Sequence, residues 1–342
     1  MEKLSVVILH YNGVEILERC LIPFLETVDK VSKSIGKSKP DLSIEVIVVD
    51  NGSTDGSVRY LKSQKSKFKI QSAKIKIKKG KTKFVDSITQ QPDKLNNLIT
   101  IFNKENLGFA EGNNVGIREA IKNGADYVMV LNNDVIVKNA FWLPLVDFIK
   151  KHKKVGVVGP KIYFAPGREF HKTRYQKKER GRVIWFAGGE IDWKNVYAFH
   201  RGVDEVDTGQ YDKSFETDFV SGCCLMAKSE VWQKAGFFDP KYFLYYEDSD
   251  FCLKVKKLGG KIYYLPKAKI WHLNAGSSDC GGALQDYFIT RNRLLFGLRW
   301  APLRTKVALI RESFKTLLTG RTWQIIGVRD FYLRRFGKGS WK

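Results

Sequence analysis

Glu247, Asp248 and Asp250 fall within four positions of one stretch, YFLYYEDSDFC at 242–252, beside Tyr242, Phe243, Tyr245, Tyr246 and Phe251. Carboxylates set among aromatic rings are partly desolvated, which disfavours the ionised form and raises basicity. Such a group suits general-base chemistry, where the pKa has to approach the working pH. The same acids also suit the first turn of a helix, whose dipole favours negative charge. Residue types alone leave both readings open.

Four further polar clusters could serve a ligand. VVDNGSTDGS (48–57) sets Asp50 at the end of an apolar run. That carboxylate can accept hydrogen bonds from a base or a ribose, and the loop can equally be an Asx-type turn. In ENLGFAEGNN (105–114), Gly108 and Gly112 permit close backbone approach to a ligand, and Asn106, Asn113 and Asn114 offer neutral donors and acceptors. No Gly-Lys-Ser/Thr follows and no GxGxxG is present, so neither a Walker A loop nor a dinucleotide fingerprint is supported. LNND (131–134) ends in the carboxylate of Asp134, a ligand type suited to a hard divalent cation. IWHLNAGSS (270–278) carries His272, readable as a structural histidine or as a metal or phosphate ligand. The cysteines, Cys20, Cys223, Cys224, Cys252 and Cys280, form no CxxC and suit reduced thiols in a cytosolic compartment.

The elements needed to position these residues follow from periodicity. LSVVILHYN and SIEVIVVD read as buried parallel strands, with a helix over VEILERCLIPFLETV between them. Residues 62–83 hold ten lysines and no acid, and the alternating KIKIKKGKTKF reads as a basic loop or an exposed hairpin turning near Gly80. LITIFN gives a third strand, VGIREAIKNG the following helix and DYVMVLNND a fourth strand. The first 135 residues thus read β-α-β-β-α-β, with polar clusters just past strand ends, where open α/β sheets bind ligands. Residues 160–217 suggest short strands and loops. FVSGCCLMAKSEVWQKAG adds a strand and a helix, a helix from about Asp248 to Leu258 stops at Gly259-Gly260, and KIYYLPKAKIWHL closes with a strand.

The chain has 342 residues, 43% of them hydrophobic, which supports a globular protein with an ample core. Fifty-nine Lys and Arg oppose 36 Asp and Glu, a formal +23, which points to an anionic partner such as a nucleotide, a nucleic acid or a membrane surface. The apolar run near the N-terminus, Leu4–Leu9, is too short for a signal peptide, and no run approaches the ~20 residues needed to span a bilayer. Residues 284–342 carry 13 basic residues against 3 acidic ones in an amphipathic pattern. That segment fits adhesion to an anionic cytoplasmic leaflet, or a helical appendage that packs on the domain or mediates dimerisation.

Together VVILHYNG, VIVVDNGSTDGS, NLGFAEGNN, VMVLNNDV, FVSGCCLMAKSEVW, GFFDPKYFLYYEDSDFCLKVKKLGGKIYYLP and IWHLNAGSS resemble, in order, the family 2 glycosyltransferases, especially their rhamnosyltransferase-like branch. The resemblance implies an α/β GT-A fold: a Rossmann-like mixed sheet flanked by helices over 1–280, with a Lys-rich insertion at 62–95 and a basic helical extension at 281–342. It assigns Asp50 to the nucleotide base, with Tyr11, Asn12, Asn51 and Ser53 in the same pocket. Asn106, Gly108, Phe109 and Asn113, with Asn132 and Asn133, would line the nucleotide-sugar side. Asp134 matches the last Asp of the family's DxD motif, which with His272 would hold Mg²⁺ or Mn²⁺. The first position of that motif is Asn132 here, which puts metal affinity in question. Asp248 matches the catalytic base, and Glu247 would orient the acceptor.

The implied activity is inverting transfer from a nucleoside-diphosphate sugar (dTDP-rhamnose-like, UDP or GDP) to a glycan or lipid-linked hydroxyl in cell-surface polysaccharide synthesis. The implied location is the cytoplasm or its membrane face. The competing classes are a basic nucleic-acid-binding protein, for which no recognised module is present, and a GT-A domain that binds without catalysing.

Overall fold

The computed structural model describes residues 1–35, 42–63, 71–78, 81–85, 98–171, 173–274 and 282–341. The first half runs β1 (Glu2–His10), α1 (Val14–Ile35), β2 (Leu42–Asp50), α2 (Ser57–Ser63), β3 (Gln71–Lys78), β4 (Lys81–Val85), β5 (Leu98–Phe102), α3 (Gly108–Lys122), β6 (Tyr127–Asn132), β7 (Val135–Ile136) and α4 (Trp142–Lys151). The second half runs β8 (Val155–Phe164), β9 (Ile184–Phe186), β10 (Gly189–Asp192), β11 (Tyr197–His200), β12 (Phe215–Glu216), β13 (Cys224–Lys228), α5 (Ser229–Ala235), α6 (Glu247–Lys257) and β14 (Lys261–His272). Three helices follow: α7 (Ala283–Trp300), α8 (Leu303–Thr319) and α9 (Thr322–Tyr332). No helix among the described residues is long and apolar enough to cross a membrane.

Twelve of these strands form one mixed sheet, ordered β12-β14-β8-β13-β6-β1-β2-β5-β3-β4 with β7 on β14 and β9 on β8. β6, β1, β2 and β5 are parallel neighbours. Their apolar runs show no polar alternation because helices cover both faces: Leu4, Val6, Val7, Ile47, Val48, Val128 and Val130 are all fully buried. Register sets the functional edge. His10 pairs with Asp50, Asp50 with Phe102, and Leu9 with Asn132. The polar segments after these residues therefore leave the sheet side by side. β2 and β5 lie on one side of β1 and β6 on the other, so the chain reverses its direction of travel across the sheet at β1, the place where α/β sheets open a binding crevice.

One feature differs from the sequence reading. The helix expected from Val115 starts at Gly108, so the glycine-rich stretch is helical rather than a turn. Its glycines serve helix-on-strand packing: a Cβ on Gly112 would lie 2.6 Å from Leu9 Cδ1, and one on Gly116 would lie 2.4 Å from Val7 Cγ1. Their absence lets α3 lie tightly over β1. The Lys-rich segment contains a hairpin, with β3 antiparallel to β4 and Lys78 opposite Lys81. The expected turn residue, Gly80, lies outside the described residues, as does Cys280. The other four cysteines are buried free thiols, and burial raises the pKa of each.

Asp55 joins the first two βα units. One carboxylate oxygen accepts the Gly13 and Val14 N–H groups at the start of α1 and the other accepts the Ser57 N–H and hydroxyl at the start of α2. Burial, the largest single effect, raises its pKa, but these donors together outweigh it and hold the carboxyl down to about 2. The stabilisation is therefore present above the ordinary aspartate pKa of ~3.9 and is lost as pH falls through about 2. Asp55→Ala should lower unfolding free energy by about 1–2 kcal/mol at pH 7, measured by urea denaturation, with the gap from wild type closing as the pH is taken toward 2.

Candidate functional site

The loop before Glu247 is the unusual piece of backbone. Phe243, Tyr245 and Tyr246 have φ of 63°, 70° and 72°, left-handed conformations that cost a non-glycine residue about 1–3 kcal/mol each. The surroundings hold them there. Asn292 Nδ2, on α7, donates to the carbonyls of Tyr242, Leu244 and Tyr245 at 2.8, 2.7 and 3.0 Å. Arg291, fully buried, donates to the carbonyls of Lys241 and Tyr242. On the other side the Phe243 carbonyl accepts the Phe109 and Ala110 N–H groups from the first turn of α3. The Phe243 ring stacks on Phe288 at 5.1 Å. Gly108 is needed here, since a Cβ would lie 2.4 Å from the Phe243 ring.

The strained loop delivers three acids to three different environments. Asp250 is fully buried and accepts hydrogen bonds from Tyr242, Arg299 and Trp300, with Lys254 3.1 Å from its other oxygen. It anchors α6 to α7. Glu247 is only 4% exposed, and its Oε2 has no hydrogen-bond partner. Burial, and then the charges of Asp248 and Asp250, push its pKa well above the usual carboxylate range. Of the three, Asp248 alone is partly exposed. Its Oδ2 accepts the Gly222 N–H at 2.9 Å, and its Oδ1 accepts the Ser249 N–H and hydroxyl. Its deep setting raises its pKa while those donors hold the rise in check. Two adjacent carboxyls thus sit in different surroundings, one buried without a donor on its Oε2 and one partly exposed and held by backbone donors.

The same segment ties Asp248 to the β6 end. Gly222 holds Asp248, and the next residue, Cys223, accepts the Asn132 N–H at 2.9 Å. A Cβ on Gly222 would lie 3.0 Å from the Phe109 ring. Asn132, Phe109 and Asp248 therefore surround one short stretch of backbone. Beyond Asn132, the Asp134 carboxylate lies 3.0 Å from His272 Nε2. The Trp185 ring packs edge-on against His272 at 4.6 Å.

This pair fits a hard divalent cation: a carboxylate and an imidazole are adjacent, and the buried Nδ1 of His272 has no partner. Among the described residues no cluster of three or more His, Cys, Asp or Glu forms there. The donor set accordingly suits an ion that draws its remaining ligands from phosphate and water, as Mg²⁺ does.

Past β2, Asp50 is fully buried. Its Oδ1 accepts the Ser53 N–H, and its Oδ2 has no partner. A buried carboxylate oxygen without a donor is costly and calls for one from a ligand. Tyr11, 47% exposed, follows the end of the adjoining strand β1, whose last residue His10 pairs with Asp50. Asn12 and Ser53 are engaged with the loop itself: Asn12 N–H donates to Ser53 Oγ, and Asn12 Oδ1 accepts the Thr54 N–H. Asn51 bonds Asn103, Asn106, Leu107 and Gly108, and Asn106 Oδ1 also accepts the Gly108 N–H. These two asparagines knit β2, β5 and α3 together. Asn113 is fully buried; its amide donates to the Phe109 carbonyl, and its Oδ1 has no partner. Asn114 instead bridges α3 to Phe238.

Sequence reasoning missed His10, Trp185 and the α7 residues. Fully buried at the end of β1, His10 is driven by burial to a pKa of about 4 and is neutral. Its Nδ1 accepts from Asn133 Nδ2 and its Nε2 contacts Ser57 Oγ, both at 2.8 Å, linking the NND turn to the Asp50 loop. A polar ring closing the run VVIL was the available signal. Nothing local marks Asn292, which lies 44 residues past Asp248.

Two family profiles match the chain: "Glycosyltransferase like family 2" over residues 78–297 and "Glycosyl transferase family 2" over 5–84. Among curated relatives, galactofuranosyltransferase GlfT2 of Mycolicibacterium smegmatis is 23% identical over 69% of this chain and 36% of its own length. N-acetylglucosaminyl-diphospho-decaprenol L-rhamnosyltransferase of Mycobacterium tuberculosis is 27% identical over 45% of this chain and 48% of its own. The dTDP-rhamnosyl transferase RfbF of Shigella flexneri is 22% identical over 56% and 60%. The chain thus spans about a third to three fifths of these relatives. Two solved structures share the fold at 15% identity. GalNAc-T7 with UDP, GalNAc and Mn²⁺ has a TM-score of 0.55, covering 95% of this chain and 57% of its own. The mannosyltransferase PcManGT of Pyrobaculum calidifontis with GDP-Man and Mn²⁺ has a TM-score of 0.52, covering 97% and 74%. The expected mixed α/β sheet flanked by helices is the fold of these glycosyltransferases.

The clamp on the strained loop gives a ranked expectation. Asn292→Ala strands buried carbonyls and should cost about 1–3 kcal/mol of stability. Asn292→Asp should cost more, because a carboxylate cannot donate to carbonyl oxygens and would bury a charge against them. Thermal and urea denaturation of the two variants beside wild type checks the order.

Proposed function

The chain belongs to glycosyltransferase family 2, and we propose that it moves a sugar from a nucleoside-diphosphate donor to a hydroxyl of a glycan or lipid-linked acceptor, with inversion at the anomeric carbon. The donor class is dTDP-rhamnose-like or another UDP- or GDP-linked sugar, and the setting is cell-surface polysaccharide synthesis at the cytoplasmic membrane face. Relatives named as rhamnosyl and galactofuranosyl transferases support this class of chemistry.

Asp248 carries the reading. It is the acid of the Glu-Asp pair that is partly exposed, its pKa is raised, and backbone donors fix its direction. In the proposed step the acceptor oxygen attacks the anomeric carbon from the face opposite the diphosphate. The bond from that carbon to the diphosphate oxygen breaks, and Asp248 takes the acceptor's proton. Glu247, buried and with a raised pKa, steadies the start of α6 instead of meeting the acceptor. Asp50 Oδ2 accepts a hydrogen bond from the nucleotide base, with Tyr11 at the mouth of that pocket. Asp134 and His272 would hold a divalent cation that neutralises charge on the departing diphosphate.

The test is release of nucleoside diphosphate from a panel of nucleotide sugars, with lipid-linked and soluble acceptors, with and without Mg²⁺ or Mn²⁺. Wild type should turn over at least one donor, and Asp248→Asn should lose about 10²–10⁴-fold in rate. Glu247→Gln, which mimics the protonated side chain, should retain most of it. Failure to bind any nucleotide would overturn the reading.

The pH dependence has a definite sign. The base must be ionised, so activity falls as pH drops through the pKa of Asp248. Because that pKa is raised, the acid limb of the rate profile should lie above the ordinary aspartate value of ~3.9. A limb at or below that value would remove Asp248 as the titrating base.

A further inference from the structure

The C-terminal helices have unequal roles. α7 is built into the protein through Arg291, Asn292, Arg299 and Trp300. α8 rests on it by one face, where Leu309 and Ser313 are buried and Leu309 fills the space left by Gly297. A second face of α8 is bare. Leu303, Val307, Ile310, Phe314 and Leu318 are 38–85% exposed, and their spacing of three or four residues puts them in one stripe along the helix. Tyr332 of α9 continues it, its ring stacked on Phe314 at 5.8 Å, and exposed Leu333 follows.

Charge around the stripe is one-sided. Exposed Arg304, Arg311 and Lys315 lie about 60–100° around the helix from the centre of the stripe, a basic rail beside the apolar one. Arg334 and Arg335 add exposed cations where Tyr332 and Leu333 extend the patch. The acid of α8, Glu312, lies about 160° away, where it pairs with Arg293 of α7 at 2.8 Å. An apolar stripe with cations at its edge and its acid turned away matches a surface that is apolar within and anionic at its face.

We propose that this face of α8, with the end of α9, docks on an anionic phospholipid membrane, the apolar side chains entering the headgroup boundary and the Arg/Lys rail meeting lipid phosphates. This extends the proposed transfer to a lipid-linked acceptor by naming the surface that meets the acceptor's membrane. α7 connects it to the catalytic loop, since the same helix grips α8 through Arg293 and residues 241–245 through Arg291 and Asn292.

The test is flotation of the full chain with vesicles of phosphatidylcholine mixed with phosphatidylglycerol, against phosphatidylcholine alone, without any sugar donor. Wild type should float with the anionic vesicles, and added salt should weaken the binding. Arg304→Ala/Arg311→Ala/Lys315→Ala should weaken it about a hundredfold, and Val307→Glu/Leu318→Glu should abolish it. Both variants alter exposed side chains and should keep the wild-type melting temperature. Their turnover of a donor with a water-soluble acceptor should also match wild type, so a failure of docking is distinguished from a failure of transferase chemistry. Equal binding to neutral vesicles, or wild-type binding by both variants, would overturn the proposal. So would a concentration-dependent dimer of lipid-free protein that Val307→Glu/Leu318→Glu dissolves, which would make this face a contact between copies.

Discussion

Left-handed backbone at Phe243, Tyr245 and Tyr246 is the constraint around which the site is built. Non-glycine side chains resist that conformation, so a run of three persists only where neighbouring groups over-determine it. Carbonyl oxygens supply the means. Those of Tyr242, Leu244 and Tyr245 converge on one side-chain amide, that of Asn292, while the Phe243 carbonyl faces the other way into the first turn of α3. One loop is thereby fastened to the C-terminal helices and to α3 at once. Its reverse curvature turns the chain directly into α6, where the acids stand at the helix start.

Those acids show how neighbouring carboxyls acquire different chemistry from their surroundings. Asp250 has two cationic neighbours and a Trp N–H and is structural. Glu247 is buried with no partner on its Oε2, and burial pushes its pKa up. Asp248, between them in sequence, is partly exposed and held by backbone donors. The reading of these acids as a helix start is realised, since all three stand in the first turn of α6. The Asp50 loop divides its carboxyls in the same manner: Asp55 supplies the caps, and one buried oxygen of Asp50 is left without a donor. Neutral His10 then couples that loop to the NND turn.

Glycine had two meanings that composition alone could not separate. At Gly108 and Gly112 the sequence suggested room for a ligand. The space is taken by the Phe243 ring and by Leu9 of β1, so in this structure the missing Cβ atoms serve packing between elements. The apparent length of the loop was misjudged for the same reason, since Gly, Asn and Glu in sequence look like a turn even when tertiary contacts favour a helix.

The sequence by itself determined the parallel strands, the polar segments at their ends and the acids, histidine and asparagines worth attention, because periodicity and residue chemistry are local properties. It also marked the C-terminus as basic and amphipathic. Only the tertiary structure decided which carboxyl is buried without a donor, which asparagine is spent on internal bonds, and that Asn292 governs a loop over forty residues earlier. It also separated α7, which is buried against the domain, from α8, which keeps an apolar face outward. The physical reason is the same in each case: burial, strain and the direction of a hydrogen bond depend on what lies across the fold, and no window of sequence contains the partner.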